Sequence, residues 1–178
     1  MFSLWFVQRS NEPLCNSIAQ DIIHHFAVKH DAPSFYSHIT LIGSIPDSST
    51  GGENIIQKTI DLLQLLKLKR VDFSFHQQVA IGNSMWQSVF LKAHLSESLQ
   101  NLFAQVTEFF GKEPSQYMPH LSVIYSESIE REVVAEEAQK ILFEKQADWS
   151  FTADTLEIWE TNGPVTSWKL VKQFNLLE

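Results

Sequence analysis

A single cysteine, Cys15, among 178 residues excludes an internal disulfide and any metal site built from cysteines. There is no basic tract, and the net charge of -8 gathers few counterions from a long polyanion, which argues against extended DNA or RNA as a partner. No apolar run reaches membrane-spanning length, and no basic flank followed by a signal-like apolar block opens the chain. A cytoplasmic protein with no membrane partner is expected. HExxH is absent, as are paired cysteines and any carboxylate regularly spaced beside the histidine-bearing strands, so neither zinc nor another cofactor is expected. What remains is ordinary for a folded chain: 44% hydrophobic and 19% charged residues, and enough length for one domain, 1–178, to bury a core. A monomer is expected.

The apolar pattern alternates between two periods. Met1 to Val7 reads as a short strand, and Asn11-Glu12-Pro13 as a cap with proline at the first helical position. Leu14, Ile18, Ile22 and Phe26 then recur at helical spacing, His38 to Gly43 reads as a strand, and Ile55, Ile56, Ile60, Leu63 and Leu66 mark a second helix. Val71, Phe73 and Phe75 alternate with polar residues, and Gly82-Asn83 predicts a hairpin turn before a strand from Trp86 to Ala93. The same order follows again. Leu99, Leu102, Phe103, Val106 and Phe110 form a helical stripe ended by Gly111, a strand begins at His120, and Ser128 is placed to cap a helix containing Val134, Ala138, Ile141 and Leu142. Two strands, about Trp149 to Thr161 and Thr166 to Phe174, are expected to turn at Asn162-Gly163. His38 to His120 spans 82 residues, Gly82 to Asn162 spans 80, and Trp86 to Trp168 again 82, which suggests two equivalent lobes built mainly around 10–93 and 96–178.

Two stretches sit at matched points of this pattern: Phe35-Tyr36-Ser37-His38-Ile39-Thr40-Leu41-Ile42 and Tyr117-Met118-Pro119-His120-Leu121-Ser122-Val123-Ile124. Each has an aromatic, two spacers, His, an apolar residue, a hydroxyl residue and two branched aliphatics. On a strand, residues two apart share a face, so His38 projects with Thr40 and His120 with Ser122. With seven histidines and Ser or Thr at 27 positions, about one His-x-Ser/Thr arises by chance. Three occur. The third, His94-Leu95-Ser96, ends a strand where Ser96 precedes a helical stripe, and a helix cap explains it. Burying two imidazoles and two hydroxyls at matched points would be costly in a purely structural core, whereas facing one cleft they suit gripping a phosphate and moving protons on either side of it.

The paired His-x-Thr and His-x-Ser, each followed by branched aliphatics, resembles the 2H phosphoesterase superfamily. The opening Ser3-Leu4-Trp5-Phe6-Val7 and then Ser37-His38-Ile39-Thr40-Leu41-Ile42-Gly43 look most like its 2′,3′-cyclic nucleotide phosphodiesterase branch. The resemblance implies an α+β, bilobal fold: two pseudo-symmetric lobes of antiparallel sheet with outer helices and the motifs facing across a central cleft. It also implies metal-independent hydrolysis of small cyclic phosphates, including the ADP-ribose 1″,2″-cyclic phosphate of tRNA splicing, with His38, Thr40, His120 and Ser122 as catalytic residues. Tyr125 resembles a tyrosine that the branch uses at the nucleoside end of the cleft. Trp86 falls where the branch carries a base-stacking aromatic, and Trp168, its counterpart by offset, would offer a second aromatic wall. Alternatives are a 2′-5′ oligonucleotide phosphodiesterase or ligase, a module that binds nucleotides or RNA ends without turnover, and motifs that are structural alone.

Overall fold

The chain folds into β1 (Phe2–Val7), α1 (Cys15–Lys29), β2 (Ile39–Ile45), α2 (Glu53–Leu66), β3 (Val71–Ser84), β4 (Gln87–Ala93), α3 (Glu97–Phe109), β5 (His120–Ile124), α4 (Arg131–Glu144), β6 (Ser150–Ala153), β7 (Thr155–Glu160) and β8 (Lys169–Asn175). The computed structural model describes residues 1–9, 15–47, 49–113, 115–145 and 149–178, without the side chains of 15–17 and 50. The helix start at Asn11-Glu12-Pro13, and Leu14 with it, lies outside the described residues. Among those described, no helix is long and apolar enough to cross a membrane.

The strands pair antiparallel in the order β6-β3-β4-β5-β2-β1-β7-β8. Only Asp154 separates β6 from β7, yet these strands lie at or next to opposite ends of that order, so the sheet must curl until its ends meet. Hydrogen bonds mark the meeting: Asp154 N–H donates to the Val7 carbonyl at 3.2 Å, and Leu176 N–H donates to the Asp154 carbonyl at 2.8 Å. The curl also brings Phe6, Phe73 and Phe151 together, with ring centroids 5.5 and 6.2 Å apart, all nearly without exposure. Burying each such ring stabilises the fold by about 1.5–3 kcal/mol relative to leaving it in water.

The two halves of the sequence interleave in this sheet. β3 and β4 flank β5, whereas β7 and β8 flank β1 and β2. β1 already pairs with β2, so the first hairpin finds its open antiparallel edge on β5 instead. Each histidine strand is therefore supported by the hairpin from the other half, and the halves of the sheet do not coincide with residues 10–93 and 96–178. Helices cover the outer face: α1 packs on β5, α3 on β2 and α4 on β3. Leu4 and Phe6 join this core, while Trp5, Val7 and Trp159 form a separate cluster.

Local signals are met to differing degrees. Ser96 caps α3 as its context predicts, its hydroxyl accepting from Leu99 N–H at 3.2 Å. Ser128 does not cap α4: Glu130 holds that position without a side-chain cap, and Ser128 N–H instead donates to the Ser126 hydroxyl at 3.3 Å. The first hairpin turns at Met85-Trp86, not at Gly82-Asn83. Gly82 answers a different need, because a Cβ there would lie 1.9 Å from the Gln87 carbonyl oxygen, beside a register shift in the ladder. The run from Trp149 to Thr161 breaks at Asp154, where the chain passes from one end of the sheet to the other. In the second hairpin, Asn162 and Gly163 lead into a 3-10 turn at Val165–Ser167, and β8 begins at Lys169 instead of Thr166.

Candidate active site

β2 and β5 lie side by side, with Ile39 opposite Leu121. In antiparallel register this sets Thr40 opposite His120 and His38 opposite Ser122. All four motif side chains therefore share one face of the sheet, away from Ile39 and Leu121 in the core. His38 and His120 become diagonal cross-strand neighbours, about 7–8 Å apart at the backbone, close enough to flank one phosphate. Trp5, directly opposite Thr40 on β1, lies on the same face.

The two imidazoles are held in the same way. Nδ1 of His38 donates to the Tyr36 carbonyl at 2.6 Å, and Nδ1 of His120 donates to the Met118 carbonyl at 2.9 Å. A carbonyl can only accept, so each Nδ1 carries a proton and the neutral ring keeps its lone pair on Nε2. Burial drives the His38 pKa from 6.5 to about 4; the Tyr36 carbonyl opposes this, and the nearby His120 adds a smaller depression. His120 is also lowered by burial, with the Met118 carbonyl opposing. Both rings are neutral at pH 7 in the unliganded site.

Tyr125 was expected beside the cleft despite strand alternation that would turn it away. β5 ends at Ile124, which frees Tyr125 to swing inward, and its hydroxyl donates to Nε2 of His38 at 3.4 Å. Burial lifts the phenol to about 12, so it stays a proton donor at neutral pH. Thr40 opens on the cleft, and its hydroxyl makes no hydrogen bond among the described residues. Ser122 is less accessible than its counterpart: it is buried, and its hydroxyl donates to the Trp86 carbonyl at 3.4 Å. Trp86 occupies the hairpin turn, 46% exposed, and stacks on Trp168 with centroids 5.5 Å apart. The offset pairing of these two tryptophans is thus a contact in space, and both line the cleft.

Sequence reasoning passed over Trp5 as a site residue. Its ring lies flat on His38, centroids 3.6 Å apart and planes within 10°, and stacks on Trp159 at 4.6 Å on another side. The continuous apolar run Phe2–Val7 hid it. The available signal was that Ser3 and Trp5 fall on one face and Leu4 and Phe6 on the other. Glu157, fully buried, fixes this stack by accepting from the Trp159 indole N–H at 2.7 Å while paired with Arg9 at 2.7 Å.

The resulting cleft encloses about 470 Å³. Beyond the residues above, it is bounded by Gln87 and, at the end away from Trp86, by Ser3, Gly43, Ser44 and Thr161. Lys112 at the end of α3 donates to the Gly43 and Ser44 carbonyls and so fixes this edge from outside. Among the described lining residues none is Asp, Glu, Lys or Arg. A phosphate here would be held by hydroxyls and imidazoles, a neutral donor set that suits a singly charged diester better than a doubly charged monoester. Among the described residues, no three His, Cys, Asp or Glu side chains gather as metal ligands.

The curled antiparallel sheet with outer helices carries the two His-x-Ser/Thr pairs on adjacent strands, the arrangement that the resemblance to the 2H phosphoesterases implies. The chain belongs to the cyclic phosphodiesterase-like protein family, whose model matches residues 1–176. Among solved structures it is similar in fold to Escherichia coli LigT complexed with 3′-AMP, at a TM-score of 0.56 and 11% identity, covering 99% of this chain and 98% of that one. LigT complexed with phosphate gives a TM-score of 0.55 at 12% identity, covering 99% and 97%, and a crystal structure of a phosphoesterase gives 0.53 at 14%, covering 99% and 98%. None of the curated proteins compared matches the chain in sequence.

Proposed function

We propose that this phosphoesterase hydrolyses small cyclic phosphates, 2′,3′-cyclic nucleotides or ADP-ribose 1″,2″-cyclic phosphate, to a phosphomonoester without a metal ion. The observation that carries the reading is the matched tethering of His38 and His120 on neighbouring strands, each with Nδ1 tied to a carbonyl and its lone pair left on Nε2. Water attacks phosphorus opposite the ring oxygen that leaves. One imidazole takes the proton of the water, and the other gives a proton to the departing ribose oxygen as that P–O bond breaks. Thr40 and Ser122 donate to the non-bridging oxygens, where charge grows on the pentacoordinate phosphorus. Trp86 and Trp168 stack on a base, a contact that tolerates several bases. In the 2′,3′-cyclic case the phosphate stays on the 2′ oxygen.

The two environments also divide the labour. His38 is the deeper ring, has the stronger depression, and accepts from the Tyr125 hydroxyl, all of which favour its unprotonated form. We assign it the base role and His120 the acid role. Activity toward free enzyme and substrate then needs His38 neutral and His120 protonated. The kcat/KM profile should rise through about pH 4, the His38 value, and fall before or near 6.5, the ordinary value below which His120 is lowered. An optimum on the alkaline side of pH 8 would contradict the assignment.

Structures of LigT with 3′-AMP, ATP, NADP+ and phosphate support a nucleotide-sized occupant for a cleft of this fold. The proposal is tested by incubating the protein, with EDTA present, with the four 2′,3′-cyclic nucleotides and with ADP-ribose 1″,2″-cyclic phosphate, and locating the product phosphate by NMR. Turnover to a 2′-monoester of at least one nucleotide, or opening of the ADP-ribose ring, supports it. Binding without turnover would favour a non-catalytic module, and inhibition by EDTA would restore a metal to the mechanism.

A further inference from the structure

Ser88, the second residue of β4, has no exposed surface. Its hydroxyl lies 2.5 Å from the Ser126 carbonyl, 2.8 Å from that of Met85 and 3.3 Å from that of Ser84, and it accepts from Ser126 N–H at 3.2 Å. Its one proton serves one of these carbonyls at a time. A single buried hydroxyl thus joins the tip of the first hairpin to the stretch that follows β5. The ladder explains its place: Val89 pairs with Ile124, and antiparallel register would next set Ser88 against Tyr125. The pairing stops short of that, because β5 ends at Ile124. The Ser88 side chain instead takes up both the N–H and the C=O of Ser126, one position further on. Tyr125, between the last paired residue and this anchor, is released from strand alternation and turns to Nε2 of His38.

Two cleft residues hang on this junction. Trp86 directly follows Met85, Tyr125 directly precedes Ser126, and their rings meet edge to face with centroids 5.6 Å apart. Phe35, stacked on Tyr125 at 4.0 Å, fixes the plane of that ring but not the point at which the chain leaves β5. The hairpin is divided in the same way. Arg131 donates to the Gly82 carbonyl at 2.8 Å and braces its base, while two hydroxyls hold its tip, Ser88 at Met85 and Ser122 at Trp86. Ser122 must leave the Trp86 carbonyl to donate to a phosphate. Of the two hydroxyls, only Ser88 then remains on the tip.

We propose that Ser88 is a positioning residue, which keeps Trp86 and Tyr125 in place about the substrate while Ser122 changes partner. This rests on the function proposed above and adds to it a group outside the cleft wall. The test is a pair of double-mutant cycles on 2′,3′-cyclic AMP, Ser88→Ala with Tyr125→Phe and Ser88→Ala with Trp86→Ala, beside Thr59→Val as a control. Thr59 is as deeply buried, and its hydroxyl donates to the Ile55 carbonyl at 2.7 Å within α2, outside the cleft lining. Ser88→Ala should lower kcat/KM by about 10²-fold, the effect of misplacing a group by about 1 Å. Below its unfolding temperature Thr59→Val should match the wild type. In each cycle the loss from Ser88→Ala should shrink by at least about twofold, the lower limit of coupling within one network. Should the alanine variant not fold, Ser88→Cys, which fills similar space with a weak donor, replaces it throughout. Wild-type kcat/KM in the Ser88 variant, full additivity in both cycles, or an equal loss in Thr59→Val overturns the inference. If the wild type does not hydrolyse cyclic AMP, the proposed function fails, and a crystal structure of the Ser88 variant decides the positioning role alone. Displacement of Tyr125 from His38, or of the Met85-Trp86 turn, upholds it, and wild-type positions for both overturn it.

Discussion

Replacing His38 or His120 lowers kcat by about 10²- to 10⁴-fold, the range for removing a general acid or base. Each ring supplies something no neighbour can replace. Tyr125 is the only other titratable group described in the cleft, and its hydroxyl is turned to Nε2 of His38 at 3.4 Å, on the side of the other imidazole, so it does not stand in for His120. No carboxylate among the described lining residues can take over as base from His38. Alanine at 38 also empties the space beneath Trp5, so His38→Gln and His120→Asn belong in the same series: they retain bulk and hydrogen bonding without an imidazole. The loss should appear in kcat for all four variants, with unfolding temperatures showing that the alanine losses are not unfolding. Retention of near-wild-type kcat by either glutamine or asparagine variant would remove its histidine from the chemistry.

Thr40→Val and Ser122→Ala should each lower kcat by about 10²- to 10³-fold, as loss of one preorganised oxyanion donor does. Thr40 is the cleaner case, because its hydroxyl has no described partner and its backbone carbonyl is separately held by the Tyr117 hydroxyl at 2.9 Å. Valine keeps the shape and strand preference of that position and removes the donor alone. Ser122 must exchange its long bond to the Trp86 carbonyl for a phosphate oxygen, which couples its donation to movement of the turn that carries Trp86. Steady-state kinetics separates the readings: a rise in KM with kcat intact would mean that these hydroxyls bind the ground state equally well and do not select the transition state.

The motif residues were legible because period two is a local property. Once His38-Ile39-Thr40 and His120-Leu121-Ser122 are strands, alternation fixes which side chains share a face. Their direct pairing and the one-face site came with the register of Ile39 against Leu121, which no local pattern encodes. The same limit explains the hairpins. Gly82-Asn83 looks like a turn by composition, but the glycine is spent on close approach to Gln87, and the ladder runs on to Ser84. Which strand a hairpin joins depends on where an edge is open, so the interleaving of the halves was invisible from offsets along the chain. Tyr125 could be placed only by knowing where β5 stops. Trp5 was masked by a strand buried on both faces, which reads as a continuous apolar run.

The account stands on one phosphate sitting between the two imidazoles. A crystal structure of the protein soaked with inorganic phosphate tests this most directly. The anion should lie with oxygens about 2.6–3.2 Å from Nε2 of both His38 and His120, and with the Thr40 hydroxyl on a further oxygen. An anion held by one histidine alone, or seated away from both, would contradict it.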